Sequence, residues 1–385
     1  MSTRTIALTL RPTADERTAL VRLQRRYNEA CNYISQAAWD AQEFNKVRLQ
    51  RLIYAEVRAR FGLMAQHTIR AIAVVADSYK ATREDVHTFR DDAAVCLDTP
   101  RLYRIVHNRA SITTLDGRFK IQLGIGGHQR RMLKDAMKLA EADLVCDRKG
   151  RWRLLVSAHY ADPPTMTVDG VLGVDLGRSD IAHTSEGEQW SGAHLTALRD
   201  RYARNRRDKQ RKASKGTRTT RRRARRVQRR LSGREARFQR QVNHTISKRI
   251  VTRAAESAQA IACEDLTGIR ARTNTQARGK VERRRSNSWA FAQLRAFLAY
   301  KCQAAGVPFI LVNPCYTSQM CHRCLHMGDR TGKRFRCPAC DWCGDADFNG
   351  ARNIALLGVN VMRPRGLWLC CTDQPGCRAP ESPRL

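Results

Sequence analysis

Four cysteines in the last quarter of the chain form two pairs, Cys321-x-x-Cys324 and Cys337-x-x-Cys340, separated by twelve residues. Such pairs put four thiolates on two facing turns, the donor set that a tetrahedral zinc ion takes. A closed four-thiolate site keeps no open coordination position, so this zinc would fold the loop around it and cut nothing. Cys343 creates an equally spaced alternative pair with Cys340, and His322 and His326 lie close by without being needed as ligands. A second set of residues could do chemistry. Asp175 follows Leu172-Gly173-Val174, Glu264 follows Ile261-Ala262-Cys263, and Asp347 lies in Asp345-Ala346-Asp347-Phe348-Asn349. Each carboxylate stands at a strand end or just past the cysteine loop, with Asp345 as the alternative to Asp347. Three converging carboxylates offer the hard oxygen donors that suit Mg²⁺. Two such ions can activate a water and stabilise a leaving oxygen in phosphodiester cleavage.

The rest of the composition says what such a site would act on. The chain has 385 residues, 42% of them hydrophobic, enough for two or three packed domains rather than a disordered tail. Lys and Arg number 71 against 36 Asp and Glu, a formal net charge of +35. A compact state carrying that charge calls for a polyanion, hence nucleic acid. The longest apolar runs, such as Ala71–Ala76 and Phe309–Val312, are far short of a membrane span. Met1-Ser2-Thr3-Arg4 opens no secretory stretch, so the expectation is a cytosolic protein of reduced thiols without a membrane partner. The scattered Cys31, Cys96, Cys146, Cys263, Cys302 and Cys315 read as small core residues.

The elements that must position these groups follow from periodicity. Thr5–Leu10 alternates as a strand, and Pro12 with Thr13-Ala14-Asp15-Glu16 opens a helix. Helical spacing continues from Asp15 to about Arg83. Short strands and turns follow between about Val95 and Tyr160, marked by Asp116-Gly117 and Lys149-Gly150. Asp162-Pro163-Pro164 reads as a linker. Beyond it come an apolar strand over Val171–Gly177, carrying Asp175, and a further strand near Ile181–Thr184. From Arg201 to Arg240 there are nineteen Lys or Arg against Asp208 and Glu235 alone. Val227, Leu231, Phe238, Val242, Ile246 and Ile250 keep an apolar stripe there, predicting a helical hairpin packed on one side and basic on the other. Its cations, Arg206, Arg207, Lys209, Arg211, Lys212, Arg221, Arg222, Arg223, Arg225 and Arg226, are the candidate contacts to nucleic-acid phosphates. A strand at Ala258–Cys263, a flexible polar stretch from Arg270 to Arg285, a helix capped by Ser286–Ser288 and ended by Gly306, and a strand at Pro308–Val312 complete an α/β plan. The tail from about residue 361, with Cys370, Cys371 and Cys377, reads as loose.

Several segments, in order, resemble TnpB proteins, the insertion-sequence proteins long described as transposases and related to type V CRISPR effectors. They are Gly173-Val174-Asp175-Leu176-Gly177, Cys263-Glu264-Asp265-Leu266, Ser288-Trp289-Ala290-Phe291-Ala292-Gln293-Leu294 with Tyr300-Lys301, Thr317-Ser318-Gln319-Met320-Cys321, and Asp345-Ala346-Asp347-Phe348-Asn349-Gly350-Ala351-Arg352-Asn353-Ile354. Tyr27-Asn28 and Ser78-Tyr79-Lys80 resemble the family's helical region more loosely. Gly350 stands where the family commonly has alanine, and Cys343 is an addition to its usual ribbon.

The resemblance implies a multidomain α/β and α+β chain. Residues 1–12 and 90–162 would be a β-barrel wedge, interrupted by a helical recognition region at 13–89. Residues 168–314 would carry the first two segments of an RNase H-like, RuvC-type nuclease core around a basic helical insertion at 195–255. The zinc ribbon would be 315–344 and the third nuclease segment 345–360. Asp175, Glu264 and Asp347 match the family's catalytic positions. The implied activity is RNA-guided cutting of double-stranded DNA with two Mg²⁺ ions, one structural Zn²⁺ and a bound guide RNA, sequence being chosen by base pairing and a short flanking motif. A guided repressor that does not cut, and a transposon-encoded DNA-binding accessory protein, are the alternatives. A repressor is expected to have lost a carboxylate, and this chain keeps all three.

Overall fold

The computed structural model describes residues 1–177, 179–268, 279, 283 and 290–362, and the chain divides into two compact units, Met1–Asp162 and Pro163–Leu385. The boundary falls at the proline linker.

In the first unit, β1 (Ser2–Arg11) alternates in burial and turns Ile6, Leu8 and Leu10 inward, each burial being worth about 1.5–3 kcal/mol. Thr13 caps α1 (Ala14–Asp40) in a reciprocal box: Thr13 N donates to Glu16 at 2.8 Å and Glu16 N to the threonine hydroxyl at 3.4 Å. The helices α2 (Lys46–Phe61) and α3 (Ala65–Ser78) follow. Helix ends at Ser78 rather than near Arg83, because the buried Tyr79 anchors the exit. Its hydroxyl lies 2.8 Å from Ser35 Oγ and accepts from His87 N at 3.1 Å. Then come β2 (Val95–Leu97), β3 (Tyr103–Val106), β4 (Arg109–Thr114), β5 (Gly117–Gly124), α4 (Gly127–Asp135), β6 (Lys138–Cys146) and β7 (Trp152–Tyr160). All pair antiparallel in the order β2-β6-β7-β1-β5-β4-β3, so the first strand of the chain lies at the centre. Its inner face, Trp152 and Leu154 of β7, and Leu20, Leu23 and Tyr27 of α1 share one core.

The second unit is built on a five-stranded sheet of β8 (Gly170–Asp175), β9 (Asp180–Thr184), β10 (Gln189–Ser191), β11 (Gln259–Glu264) and β12 (Phe309–Val312), ordered β10-β9-β8-β11-β12. The first three pair antiparallel, while β11 runs parallel to both β8 and β12. The basic segment departs from the predicted hairpin. It is three helices, α5 (Ala193–Ser214), α6 (Arg218–Leu231) and α7 (Arg234–Glu256), the last two broken apart at Ser232-Gly233 where Gly233 takes a φ of 76°. Ile246 and Ile250 of α7 pack with Leu294, Leu298 and Cys302 of α8 (Phe291–Ala305) in the core that contains Leu172, Val174 and Ile261 of the sheet. Gly306 ends α8 in the left-handed conformation. A Cβ there would sit 2.5 Å from Pro164 O, so only glycine fits. A three-stranded ribbon follows, β13 (Asp329–Thr331), β14 (Arg334–Arg336) and β15 (Cys343–Asp345), then α9 (Ala346–Met362). The predicted cap at Ser286–Ser288 with Trp289, the stretch 270–285 apart from residues 279 and 283, and the tail with Cys370, Cys371 and Cys377 lie outside the described residues.

Candidate metal centres

Parallel pairing aligns the ends of β8 and β11. Cys263 is in register with Val174, so Glu264 and Asp175 come out side by side at the carboxyl edge of the sheet. The third carboxylate arrives on a helix. Asp345 accepts from Asp347 N and Phe348 N, both at 2.9 Å, and thereby caps α9. That cap role separates Asp345 from Asp347, whose side chain faces the cleft. Helix α9 lies against β8 so closely that a Cβ on Gly173 would stand 2.0 Å from Ala351 O and 2.5 Å from Ala355 N. At the residue before Ala351, a Cβ on Gly350 would stand 3.3 Å from Asp175 Oδ2.

Asp175, Glu264 and Asp347 thus line one cleft of about 670 Å³, with Thr317, Arg330, Lys333 and Gly350 among its walls. The Thr317 hydroxyl donates to Glu264, and Arg330 Nη2 donates to Asp347 Oδ1 at 2.8 Å. Burial pushes the Asp175 carboxyl up to about 8, helped by the charges of Glu264 and Asp347 and opposed by Arg330. Burial also raises Glu264, against the Thr317 hydrogen bond and the Arg330 charge. Carboxylates this far withdrawn from water that repel one another are relieved by a divalent cation, so the donor set fits Mg²⁺.

The thiolate centre is tighter. The sulfurs of Cys321, Cys324, Cys337 and Cys340 all lie within 4.8 Å of one another. Cys321 and Cys340 are 3.7 Å apart and Cys324 and Cys337 3.3 Å, spacings suited to a tetrahedral zinc with bonds of about 2.3 Å. Among the described residues no carboxylate set meets that closeness. Cys343 is exposed on β15 opposite Arg336 and stands outside the cluster. Neither nearby histidine turns to the sulfurs: His322 contacts Asn349, and His326 Nδ1 lies 3.0 Å from Cys324 O. Asn349 and Asn353 of α9 donate to Met320 O at 2.7 and 2.6 Å, and Asn353 also reaches Thr317 O at 2.8 Å. They tie the ribbon's entry to the helix that carries Asp347.

Of the ten cations proposed for phosphate contact, Arg207, Arg211, Lys212, Arg221, Arg222, Arg223, Arg225 and Arg226 are exposed on α5 and α6. Arg206 is ion-paired to Glu235, and Lys209 is half-buried beside them in a cavity of about 570 Å³. Sequence reasoning missed Arg330 and Lys333, two arginine-and-lysine positions among many, and the part Thr317 plays beside Glu264. Among the described residues, no helix is long and apolar enough to cross a membrane.

Residues 291–354 match the domain family described as Cas12f1-like, TNB domain. Over 196 residues the chain is 32% identical to the TnpB-like protein MJ0751 of Methanocaldococcus jannaschii, covering 50% of this chain and 70% of that protein. Over 247 residues it is 30% identical to the CRISPR-associated endodeoxyribonuclease Cas12f1 of Sulfoacidibacillus thermotolerans, covering 60% of this chain and 56% of that protein's length. The fold resembles a Cas12f1 chain solved in complex with sgRNA and target DNA, with a TM-score of 0.60 and 14% identity over 89% of this chain and 83% of that one.

Proposed function

This chain belongs to the TnpB family, and we propose that it is an RNA-guided DNA endonuclease that cuts at the cleft of Asp175, Glu264 and Asp347. The observation that carries the proposal is the convergence of these three carboxylates from β8, β11 and α9 on one cleft in a chain of net charge +35. The sheet order, three antiparallel strands continued by two parallel ones, supports an RNase H-like core of the RuvC type. The names of the relatives, an endodeoxyribonuclease and a TnpB-like protein, support the activity.

In this reading Asp175, Glu264 and Asp347 hold two Mg²⁺ ions, which when bound supply water activation and charge stabilisation at the scissile phosphate. The chain's own work is positional. The parallel register fixes Asp175 beside Glu264, the Thr317 hydroxyl orients the Glu264 carboxylate, and the Asp345 cap sets the first turn of α9 and so Asp347. Zinc at the four cysteines folds the ribbon against α9. The exposed arginines of α5 and α6 grip phosphates without reading bases. The sheet of the first unit, with its helical interruption, serves as the wedge and recognition region for guide RNA and flanking motif. The protein acts in the cytosol.

The test is to co-express the chain with RNA from the end of its own gene, purify the complex, and supply a randomised-flank plasmid library with Mg²⁺. Cleavage that needs the RNA and is absent from Asp175→Ala is expected. RNA-dependent binding without cleavage would make the protein a guided DNA-binding repressor instead. Affinity for nucleic acid should also drop steeply from low to physiological salt, and a flat response would remove the arginine helices from the account.

A further inference from the structure

Arg330 belongs by sequence to the ribbon and by contact to the carboxylate cleft. It lies on β13, paired across to Phe335, the buried side chain at the centre of the ribbon's small core. Its Nε donates to Gly332 O at 3.2 Å, while Nη2 donates to Asp347 Oδ1 at 2.8 Å. Asp347 is 7% exposed, so most of what that carboxylate meets is protein.

The other cation in the cleft wall is engaged elsewhere. Lys333 Nζ pairs at 2.5 Å with Asp180, which is 3% exposed on β9 and lies outside the cleft wall. Among the described residues lining the cleft, Arg330 is therefore the positive group set on a site carboxylate. Its charge also acts on the other two, opposing the upward push that burial gives Asp175 and Glu264. One guanidinium, delivered by the zinc-folded strand, compensates three crowded carboxylates.

We propose that Arg330 is the resident counter-cation of the nuclease site and competes with divalent ions for Asp347, so that the zinc ribbon sets how tightly the site takes up its metal. This rests on the endonuclease reading and adds regulation to that site. A guanidinium and a dication held on the same carboxylate stand only a few ångströms apart, and in a cleft largely shielded from water they repel strongly. An arriving dication must overcome the charge of Arg330 or displace it from Asp347, which makes loading a competition rather than simple capture.

The experiment measures Mn²⁺ binding to the full-length, zinc-loaded protein without nucleic acid, by the electron paramagnetic resonance of free Mn²⁺. The binding that counts is the part absent from Asp175→Asn. Arg330→Gln, which removes the charge, is expected to tighten that binding at least about tenfold, and Arg330→Lys, which keeps it, is expected to stay within about threefold of the unaltered chain. The melting temperature of Arg330→Gln without Mn²⁺ is expected to fall and to recover with Mn²⁺. Zinc content reports whether the ribbon is folded, and Arg330→Ala is run alongside in case the glutamine variant loses zinc. Unchanged or weaker Mn²⁺ binding in the zinc-loaded charge-removal variants overturns the competition and leaves Arg330 as an orienting contact for Asp347. If the unaltered chain itself shows no Asp175-dependent Mn²⁺ binding, the metal-site reading fails and the competition with it.

Discussion

The two proposed metal centres of this chain are built on opposite plans. The thiolate centre is local: four ligands within Cys321–Cys340, sulfurs within 4.8 Å of one another, and two of the four fully buried. The carboxylate centre gathers Asp175, Glu264 and Asp347 from two strand ends and a helix start, around a cleft of about 670 Å³ in which the ribbon's Arg330 meets Asp347. A structural ion wants complete, closed coordination, whereas a reacting centre wants an open one whose donors remain under strain. The local centre should therefore fail all at once and the assembled one by degrees.

The largest effect should come from breaking the local centre. Cys337→Ser leaves three thiolates for an ion whose binding is worth about 10–16 kcal/mol in small zinc domains. Zinc content measured by metal analysis should fall from one per chain to near zero, and RNA-dependent cleavage should disappear with it, since the ribbon strand β13 sets Arg330 on Asp347. The sheet should survive: the core of Leu172, Ile261, Ile250 and Leu298 contains no ribbon residue. Hydrogen exchange should show β8 and β11 still protected. Loss of that protection would mean the ribbon holds the whole second unit together.

Next in size is a change at the seam that assembles the other centre. Gly173→Ala would place a methyl 2.0 Å from Ala351 O, which is backbone and cannot yield without moving α9. Overpacking of this kind costs about 3 kcal/mol or more, equivalent to roughly 6–12 °C in melting temperature for a unit this size. Cleavage should fall along with it, because Asp347 rides on α9, while zinc stays at one per chain. Full activity in Gly173→Ala would show that the helix can shift without disturbing the carboxylates.

That seam shows where sequence was informative and where it was silent. Cysteine spacing, the Thr13–Glu16 cap and the carboxylates at strand ends were legible because each is a local pattern with a local cause. The break between α6 and α7 was not. Val227, Leu231, Phe238 and Val242 keep helical phase straight across Ser232-Gly233, so periodicity reads one helix where Gly233 turns the chain. Arg330 carried no local mark in a chain with 71 Lys and Arg. Its role comes from a side chain on β13 reaching Asp347 at the start of α9, a tertiary fact. Asp345 and Asp347 were alternatives until the capping hydrogen bonds divided their work.

A subtler contrast is the response to pH. The folded Asp175 carboxyl is pushed up to about 8, above its ordinary range, so it holds a proton below that pH which a dication must displace. Asp175-dependent Mn²⁺ affinity should rise from pH 6 to 8 by at most about tenfold per unit and level off above. Stability without added divalent ions runs the other way. The folded state holds the proton more firmly than the unfolded chain, so this contribution is full in acid and is lost as pH rises toward 8. Zinc content should stay flat from pH 6.5 to 8.5. A metal affinity equally flat over that range would mean Asp175 is already ionised there.

The smallest effect should come from Cys343, and it tests the comparison hardest because the sequence offers it as a ligand. The spacing Cys340-x-x-Cys343 equals that of the other pairs, yet Cys343 lies on β15, where register with Arg336 fixes the strand and leaves its thiol exposed, with Arg334 Nη2 4.0 Å away. A thiol held in a β-ladder cannot take Cys337's place without breaking the pairing that sets Asp345 at the start of α9. Cys343→Ser should therefore keep one zinc per chain, shift stability by no more than about 0.5 kcal/mol as an exposed substitution does, and cut at the native rate. Zinc loss in this variant would mean that the cluster exchanges ligands along the loop, and the closed, local character assigned to the thiolate centre would be wrong.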